Sequence, residues 1–245
     1  MTDQGLQFPK FYVTAPSPCP YLEGKVERKV FTELRGPDAP ALSEALGKVG
    51  FRRSQSVVYR PACEACSECI SVRVRTDEFE IRKSQKRLVK TNSDLIGEIR
   101  PPLVTEEQFA LLQQYLNTRH QDGTMAGMSF MEFKDMVETS PVTTVLIEYR
   151  RAIDGYLMAV ALSDELSDGL SMIYSFFDIS EEKRSLGTYM ILDHINRAQA
   201  AKRPYVYLGY WVEGSQKMRY KARFQPLEKL GPNGWYQNTE NKPIK

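Results

Sequence analysis

The residues best suited to metal or redox chemistry are the cysteines. The chain has four of them, and three lie in the short segment Cys63-Glu-Ala-Cys66-Ser-Glu-Cys69, while Cys19 lies far upstream. We expect no secretory signal, because the polar residues 1–10 contain no apolar run behind a basic start. In the reducing cytoplasm such a cluster favours metal binding or redox chemistry over structural disulfides. Because this spacing is not a zinc-finger pattern, reduced thiols that only pack a loop are the alternative.

Basic residues form two dense clusters in a chain whose total charge is nearly balanced. With 33 Lys and Arg against 31 Asp and Glu, the net charge of +2 does not by itself indicate a nucleic-acid-binding domain. The clusters consist of Lys83, Lys86, Arg87 and Lys90, and of Lys217, Arg219, Lys221 and Arg223. Each cluster indicates either a phosphate-binding surface or the solvated face of a helix, and both interpretations stay open.

The first part of the chain, residues 1–95, must position the cysteines and is predicted to be a small α+β domain. Alternating and β-branched residues predict strands over residues 26–34, 56–60 and 71–76. Residues 40–49 predict a short helix that Gly50 ends. The basic stretch after Glu80 predicts a polar helix that cannot continue through Pro101 and Pro102.

The second part, residues 96–245, is predicted to be an acyltransferase core. The predicted elements are, in chain order, a helix from a capping box at residues 105–108 to about His120, a helix from Ser129, strands over 143–149, 155–163 and 171–177, a helix over 187–201, a strand over 205–211 and a short helix over 214–223. This order matches the GNAT acyltransferase core. The predicted fold class is therefore α/β (α+β), with a GNAT-like C-terminal half and a smaller cysteine-containing N-terminal domain.

The turn before the helix that begins at Gly187 is suited to anion binding. GNAT acyltransferases carry a turn of the form Arg/Gln-x-x-Gly-x-Gly/Ala, whose backbone N–H groups stand at a helix N-terminus where anions bind readily. Here the turn is Arg184-x-x-Gly187-x-Tyr189, so a tyrosine takes the last small position. We expect its ring to hinder a coenzyme A pyrophosphate and to leave room for a different phosphate-bearing acyl donor.

Segments in both halves resemble the aminoacyl-tRNA:protein transferase family. In the C-terminal half these are the Tyr/Gly-rich strand that begins at Tyr207 and the segment Lys217-Met-Arg-Tyr-Lys221. In the N-terminal half they are Cys19-Pro-Tyr, Val26-Glu-Arg-Lys-Val-Phe-Thr, Gly50-Phe-Arg-Arg-Ser, Val58-Tyr-Arg-Pro-Ala-Cys63 and Cys66-x-x-Cys69-x-x-Val-Arg-Val. The short length and the Cys-x-x-Cys-x-x-Cys pattern resemble the bacterial members that transfer leucine, rather than the longer eukaryotic arginyltransferases.

The resemblance implies that the chain takes leucine from its tRNA and attaches it to the N-terminal Asp or Glu of another protein. It implies that Arg184 and Gly187 approach the aminoacylated end of the tRNA. Lys217, Arg219 and Lys221 would then meet tRNA phosphates or orient the ester. The partners implied are an aminoacyl-tRNA and acceptor proteins that enter the N-degron pathway of protein degradation.

The reaction needs positioning, oxyanion stabilisation and mild help with deprotonation, because the ester is already activated and the acceptor amine has a pKa near ~8. Candidates for the catalytic groups are Asp178, Tyr210, Glu213 and Lys217. Neither histidine is a candidate: His194 is expected to be a structural residue in an amphipathic helix, and we assign no role to His120.

Recognition of an acidic acceptor requires a cation, and a planar arginine fork is the natural partner of a carboxylate. The N-terminal half offers Arg52, Arg53 and Arg60 beside the cysteines, with Tyr59 and Tyr21 as possible walls of a pocket. The alternative is that these arginines are surface cations or additional tRNA contacts.

No cofactor is required for the transfer itself. The resemblance to eukaryotic members implies that Cys19, Cys63, Cys66 and Cys69 could hold a structural zinc ion or an iron–sulfur cluster. In this chain, however, Pro-Tyr-Leu follows Cys19 where those relatives place a second cysteine.

Three other functions use the same residues: an arginyl-tRNA-dependent protein transferase, an acetyl-CoA-dependent N-acetyltransferase, and a non-catalytic adaptor that binds tRNA or N-degrons. Tyr189 and the cysteine-bearing half argue against the acetyltransferase. The longest apolar runs are strand-sized and far shorter than the ~20 residues that span a bilayer. We therefore expect a cytoplasmic protein without a membrane partner.

Overall fold

The computed structural model of the chain describes residues 9–119 and 125–237. Its strands are β1 (Tyr12–Val13), β2 (Ser17–Pro18), β3 (Val26–Glu27), β4 (Lys29–Glu33), β5 (Arg52–Ser54), β6 (Val57–Pro61), β7 (Ile70–Arg75), β8 (Leu95–Arg100), β9 (Thr144–Arg151), β10 (Leu157–Leu166), β11 (Gly169–Phe177), β12 (Tyr205–Trp211), β13 (Leu227–Gly231) and β14 (Gly234–Gln237). Its α-helices are α1 (Ala39–Lys48), α2 (Lys83–Thr91), α3 (Glu106–Arg119), α4 (Phe130–Glu138) and α5 (Leu186–Ala200). Two 3₁₀ helices accompany them, η1 (Glu182–Arg184) and η2 (Gln216–Arg223). His120 lies outside the described residues.

A large mixed sheet organises the fold. Its eight strands lie in the order β14-β13-β7-β12-β11-β10-β9-β8, and a smaller sheet has the order β1-β4-β6-β5. Every neighbouring pair in the large sheet is antiparallel except β11 and β12, which are parallel. The order β9-β10-β11, then α5, then a parallel β12 is the expected GNAT-like core.

The helices pack on both faces of this sheet, because its central strands bury both sides. On β10, Val160 and Leu162 contact α3 and α4, whereas Ala159 and Ala161 contact Met190 of α5. This division follows the alternation of side chains along a strand. The clusters that contain α3, α4 and α5 form the main core, and a separate cluster around Val58 holds α1 on the small sheet.

Local sequence signals place several helix boundaries correctly. The predicted capping box before α3 forms, since Thr105 Oγ1 accepts from the Gln108 N–H at 3.2 Å and Gln108 Oε1 accepts from the Thr105 N–H at 3.0 Å. Ser129 and Glu132 make the same reciprocal pair before α4, at 3.3 and 2.8 Å. Each pair satisfies backbone N–H groups that the first turn of a helix leaves without partners.

Other elements differ from the sequence-based expectation. The polar helix α2 ends at Thr91, and the strand β8, which was not predicted, intervenes before Pro101. The hairpin of β13 and β14 was also not predicted. Residues 216–223 form a 3₁₀ helix instead of an α-helix. These segments depend on long-range partners, such as the pairing of β8 with β9, which no local pattern encodes.

The large sheet includes a strand from the predicted N-terminal domain. β7 pairs with β12 on one side and with β13 on the other, and so lies inside the sheet of the C-terminal half. The predicted boundary between residues 95 and 96 therefore does not separate the two larger sheets. The division into an acceptor-recognition part and a transfer part stays a prediction.

Candidate transfer site

The two parallel strands of the large sheet pair only at their beginnings. β11 and β12 are in register at three positions, from Gly169 with Tyr205 to Ser171 with Tyr207. Register shifts occur on both sides, between Leu162 and Ser163 on β10 and between Tyr207 and Gly209 on β12. Since bulges bend and twist a strand, the two strands separate beyond these points. We call the opening between residues 172–177 and 208–211 the strand cleft.

Arg52 reaches from the small sheet to the strand cleft. Its Nη2 donates to the Met172 carbonyl of β11 at 2.8 Å. On the β12 side it lies against Gly209, where an added Cβ would stand 1.2 Å from Arg52 Nη1. The φ of Gly209 is also +79°, a conformation that L side chains rarely adopt. Only glycine therefore lets the guanidinium fit between the two strands. A glycine inside a predicted strand was the sequence signal that could have indicated this close approach.

Lys221 is the second cation at the strand cleft. Its side chain is 8% exposed, and its Nζ donates to the Tyr210 carbonyl at 2.5 Å. Burial, together with the neighbouring charge of Arg52, lowers the pKa of Lys221 to about 7. Among residues 9–119 and 125–237, no carboxylate forms an ion pair with Lys221 or Arg52 within 4.0 Å. The alternative interpretation, in which Lys221 lies on the solvated face of a helix, is therefore wrong.

Tyrosines surround the two cations. Tyr59 and Tyr210 have ring centroids 6.1 Å apart, and the Tyr210 hydroxyl lies 2.9 Å from the Gly50 carbonyl. Burial raises the pKa of Tyr21 to about 12 and also raises that of Tyr210, so both phenols stay protonated. Tyr220, beside Lys221, is 38% exposed and marks the outer rim. Tyr210 thus anchors the small sheet and is not suited to act as a base.

Arg53 does not lie at the strand cleft, in contrast to the prediction. It forms a buried ion pair with Asp164, with Nε to Oδ2 at 2.6 Å and Nη2 to Oδ1 at 2.5 Å. The Arg53 and Asp164 side chains are only 2% and 4% exposed. Its remaining donors bind the Gln55 carbonyl and the Thr144 hydroxyl. An acceptor peptide cannot reach a guanidinium that is saturated in this way.

Of the other two predicted acceptor residues, Arg60 lies outside the strand cleft, whereas Tyr59 packs on Tyr210 beside it. Arg60 is exposed, and its Nη1 donates to the Val49 carbonyl at 3.2 Å. Tyr59 is half-buried, and Lys29 Nζ lies 5.5 Å from its ring centroid. Of the four predicted residues, Arg52 and Tyr59 are therefore the two that the tertiary structure brings to Tyr210 and the cleft.

The predicted anion-binding turn stands beyond the end of β11. Arg184 pairs with Asp94 through two hydrogen bonds of 2.7 and 2.9 Å, which anchors the turn to the residues before β8. A Cβ on Gly187 would lie 3.3 Å from a Phe177 ring carbon, so a side chain there would press on the last residue of β11. The Tyr189 ring packs edge-on against Tyr149, with centroids 5.8 Å apart.

The remaining predicted catalytic residues are either engaged or exposed. The Asp178 carboxylate accepts bonds from Ser180 and from the Tyr156 hydroxyl. Burial alone would raise the pKa of Asp178, but these hydrogen bonds outweigh it and hold the pKa below its usual value, so Asp178 remains charged and braces the turn. The other two predicted catalytic residues are exposed, Glu213 before η2 and Lys217 on it; Arg219, a predicted tRNA contact, is exposed as well.

The four cysteine side chains lie near one another in the folded chain. Burial, together with the proximity of Cys19, Cys63 and Cys66, raises the pKa of Cys69 to about 12. All four are free and half-buried. Within the described parts of the chain, no three His, Cys, Asp or Glu side chains converge closely enough to hold a metal ion. As they stand, these thiols do not fit a metal centre.

The cysteine-bearing half borders η2, the segment that follows β12. Cys63 and Cys66 line a surface depression together with Leu22 and Gly214. A Cβ on Gly214 would lie 3.2 Å from a Leu22 methyl carbon. The cysteine-bearing half therefore lies against the residues between β12 and η2.

The basic helix α2 lies beside α5. Its Gln85 amide nitrogen is 3.5 Å from the Arg223 carbonyl at the end of η2, and Asn92 donates to the Arg184 carbonyl at the turn. Its outward face carries Lys83, Lys86, Arg87 and Lys90, which are all exposed. The helix therefore extends a positive surface from η2 to the turn before α5. None of the helices in the described residues is both long and apolar enough to cross a membrane.

The chain is similar to known proteins over most of its length. Family models described as arginine-tRNA-protein transferase match this chain, the N-terminal one over residues 17–87 and the C-terminal one over 107–231. A solved C-terminal domain assigned to a lysylphosphatidylglycerol synthetase of Agrobacterium fabrum has a TM-score of 0.47 at 14% identity, covering 71% of this chain and 52% of its own.

Two relatives are named aspartate/glutamate leucyltransferase. The one from Sphingopyxis alaskensis is 57% identical over 94% of this chain and 91% of its own length. The one from Afipia carboxidovorans is 54% identical over 96% of this chain and 95% of its own length. With both family models matched and these identities spanning nearly the whole chain, the chain belongs to the arginine-tRNA-protein transferase family.

Proposed function

We propose that this chain is a leucyltransferase that moves leucine from Leu-tRNA to the N-terminal Asp or Glu of acceptor proteins. The names of the relatives at 57% and 54% identity support the donor and the acceptors. One structural observation carries the proposal: Arg52 stands in the strand cleft without a carboxylate partner among the described residues. An acidic acceptor would supply that partner.

The chemistry is the exchange of an ester for an amide. The nitrogen of the acceptor α-amine attacks the ester carbonyl carbon, the bond between that carbon and the ribose oxygen breaks, and the nitrogen loses a proton while the ribose oxygen gains one. The chain's task is to hold the two reactants together and to stabilise the tetrahedral oxyanion. Separated strands suit this task, since their edges leave backbone groups unpaired by the neighbouring strand.

Acceptor recognition is assigned to the N-terminal half. A carboxylate side chain would bind the Arg52 guanidinium at the strand cleft, with Tyr59 and Tyr21 beside it. Arg60, on the exposed side of the same sheet, would attract the acidic acceptor from solution. Arg53 has no direct part in this recognition, because Asp164 already occupies it.

The aminoacyl-tRNA is assigned to the opposite side of the strand cleft. The exposed cations of α2, together with Lys217 and Arg219 of η2, would contact phosphates of the acceptor stem. Arg184 would act indirectly, by fixing the turn that holds Gly187 at the end of the cleft. The residues around the cleft are two cations and several tyrosines, and cations disfavour an arginyl donor relative to a leucyl one.

The decisive assay is transfer by the purified full-length chain. Leu-, Arg- and Phe-tRNA are each offered with peptides that begin with Asp, Glu or Arg, and the lengthened peptide is measured. We expect leucine on the Asp and Glu peptides only. Changing Arg52→Gln should lower transfer to both by at least ~10-fold, because it removes a charge-assisted pair. The matched control Arg35→Gln, at an exposed arginine paired with Glu33, should leave transfer unchanged.

Two outcomes would contradict these assignments. Arginine transfer in place of leucine transfer would overturn the donor, and full activity of the Arg52→Gln variant would overturn the acceptor site. If the chain binds Leu-tRNA and acidic peptides but lengthens neither peptide, it is an adaptor rather than an enzyme.

This function requires no cofactor, and we place it in the cytoplasm. A zinc ion or iron–sulfur cluster on the four cysteines stays a hypothesis that would require the thiols to rearrange. Metal and sulfide analysis of protein purified without air tests it, and a metal-free active protein would reject it.

A further inference from the structure

The buried amine of Lys221 has a setting that binding alone does not explain. A lysine that contacts tRNA phosphates would be exposed, yet this side chain is 8% exposed and its Nζ turns to the Tyr210 carbonyl. A lysine that only stabilises the fold would normally have a carboxylate partner when buried. Within the part of the chain that the structure describes, no carboxylate forms an ion pair with it.

Burial and the facing charge of Arg52 favour the uncharged form of Lys221. Arg52 faces it from β5 with a positive charge, and the Tyr210 carbonyl accepts one bond from β12. On its own segment, Nζ lies 6.0 Å from the Tyr220 ring centroid. Tyr59 packs on Tyr210, further back. A buried amine beside a guanidinium loses its proton more readily than an exposed lysine does, which accounts for a pKa of about 7.

The strand cleft also brings Lys221 to the reacting nitrogen. In an N-terminal Asp or Glu, the α-amine and the side-chain carboxylate are only a few covalent bonds apart. If the carboxylate binds Arg52, the α-amine must therefore lie next to the neighbours of Arg52. Lys221 is one of them, since the two cations interact across the cleft.

We propose that Lys221 is the base of the transfer reaction: its uncharged Nζ takes a proton from the acceptor α-amine as the nitrogen attacks the ester, and returns it to the departing ribose oxygen. This inference rests on the proposed function. The balance is complete, because one N–H bond and one C–O bond break while one C–N bond and one O–H bond form. No additional reactant is needed.

Arg52 then has a second effect, which links recognition to chemistry. While the cleft is empty, the Arg52 charge opposes protonation of Lys221. A bound Asp or Glu carboxylate compensates that charge, so Nζ becomes a stronger base only when the correct acceptor is present. An Asn-starting peptide should therefore lose kcat as well as KM, because it cannot compensate Arg52.

The test compares Lys221→Arg, Lys221→Ala and the matched control Lys229→Arg, a half-buried lysine whose Nζ lies 4.1 Å from the Trp211 ring centroid. Single-turnover transfer from Leu-tRNA to Asp- and Asn-starting peptides is measured from pH 5.5 to 9, with melting temperature and Leu-tRNA binding recorded for each variant. Wild-type transfer should rise with pH, through an apparent pKa near 7 with the Asn-starting peptide and through a higher one with the Asp-starting peptide, which compensates Arg52. Lys221→Arg keeps a charge and a hydrogen-bond donor, but its rate of transfer should fall at least ~100-fold and should lose this pH dependence. Added ethylamine should partly restore Lys221→Ala, but not the control.

The outcomes separate this inference from the function that underlies it. A folded Lys221→Arg variant with wild-type transfer and pH profile overturns the base and leaves the leucyltransferase intact. Loss of tRNA binding in Lys221→Arg, with unchanged transfer from bound tRNA, overturns it in favour of a phosphate contact. The inference is also overturned if ethylamine does not restore Lys221→Ala and the wild type has the same kcat with the Asp- and the Asn-starting peptide. If wild type transfers no leucine, both proposals fall.

Discussion

Asp164→Asn provides a direct test of the interaction that holds the small sheet on the large one. Arg53 of β5 and Asp164 of β10 are separated by 111 residues in sequence and joined by two hydrogen bonds of 2.6 and 2.5 Å. Because the two side chains are 2% and 4% exposed, water cannot compensate Arg53 when the carboxylate is lost. Removing one partner of a buried pair costs about 3–5 kcal/mol. We expect Asp164→Asn to lower the free energy of unfolding by that amount.

The assay is urea unfolding at pH 7.5, followed by circular dichroism. The double variant Arg53→Met with Asp164→Leu should recover most of the loss, because apolar residues leave no buried charge. Arg53→Ala should weaken transfer to Asp- and Glu-starting peptides to the same extent, through stability alone. A cost below about 1 kcal/mol for Asp164→Asn, or a double variant no better than the single one, would refute the reasoning.

Three further predictions concern the cleft, the core and the tRNA surface. Gly209→Ala should reduce transfer to the level of Arg52→Gln, because its Cβ would stand 1.2 Å from the Arg52 guanidinium. The control Gly155→Ala has φ +71° and no atom within 4 Å of the added Cβ, so it carries only the cost of the backbone conformation. Equal activity of the two variants would contradict this prediction. His194 is fully buried, with Nδ1 2.6 Å from the Met190 carbonyl and Nε2 2.8 Å from Ser163, and burial lowers its pKa. The unfolded chain therefore binds more protons than the folded chain below about pH 6.5. The free energy of unfolding should fall with decreasing pH, by up to about 1.4 kcal/mol for each unit by which the folded and unfolded pKa of His194 differ. The free energies of unfolding measured at pH 7.5 and at pH 5 should differ less in His194→Gln than in the wild type. Changing three α2 lysines to Gln should reduce the slope of the logarithm of the tRNA binding constant against log salt, by about 0.7–0.9 for each phosphate that the protein no longer neutralises. The control Lys134→Gln, at a lysine paired with Glu138, should leave this slope unchanged. An unchanged slope in the α2 variant would remove α2 from the tRNA surface. The three lysines are Lys83, Lys86 and Lys90.

Elements with local causes could be predicted from the sequence. Capping residues fixed the starts of α3 and α4, and apolar periodicity fixed the strands β9, β10 and β11 and the helix α5. The GNAT-like order followed from these elements, and the family resemblance followed from contiguous motifs such as the segment 217–221. His194 was also expected to be structural, since an amphipathic pattern already places it toward the core.

The tertiary structure decided which charged residues are free to act. Arg52 and Arg53 are adjacent in sequence, but strand alternation sends one to the strand cleft and the other to Asp164. Lys217 and Lys221 share a basic segment, yet the 3₁₀ helix exposes the first and buries the second. The reason is physical: the availability and the pKa of a charged group depend on burial and on partners more than 100 residues away in sequence, which a local pattern does not encode.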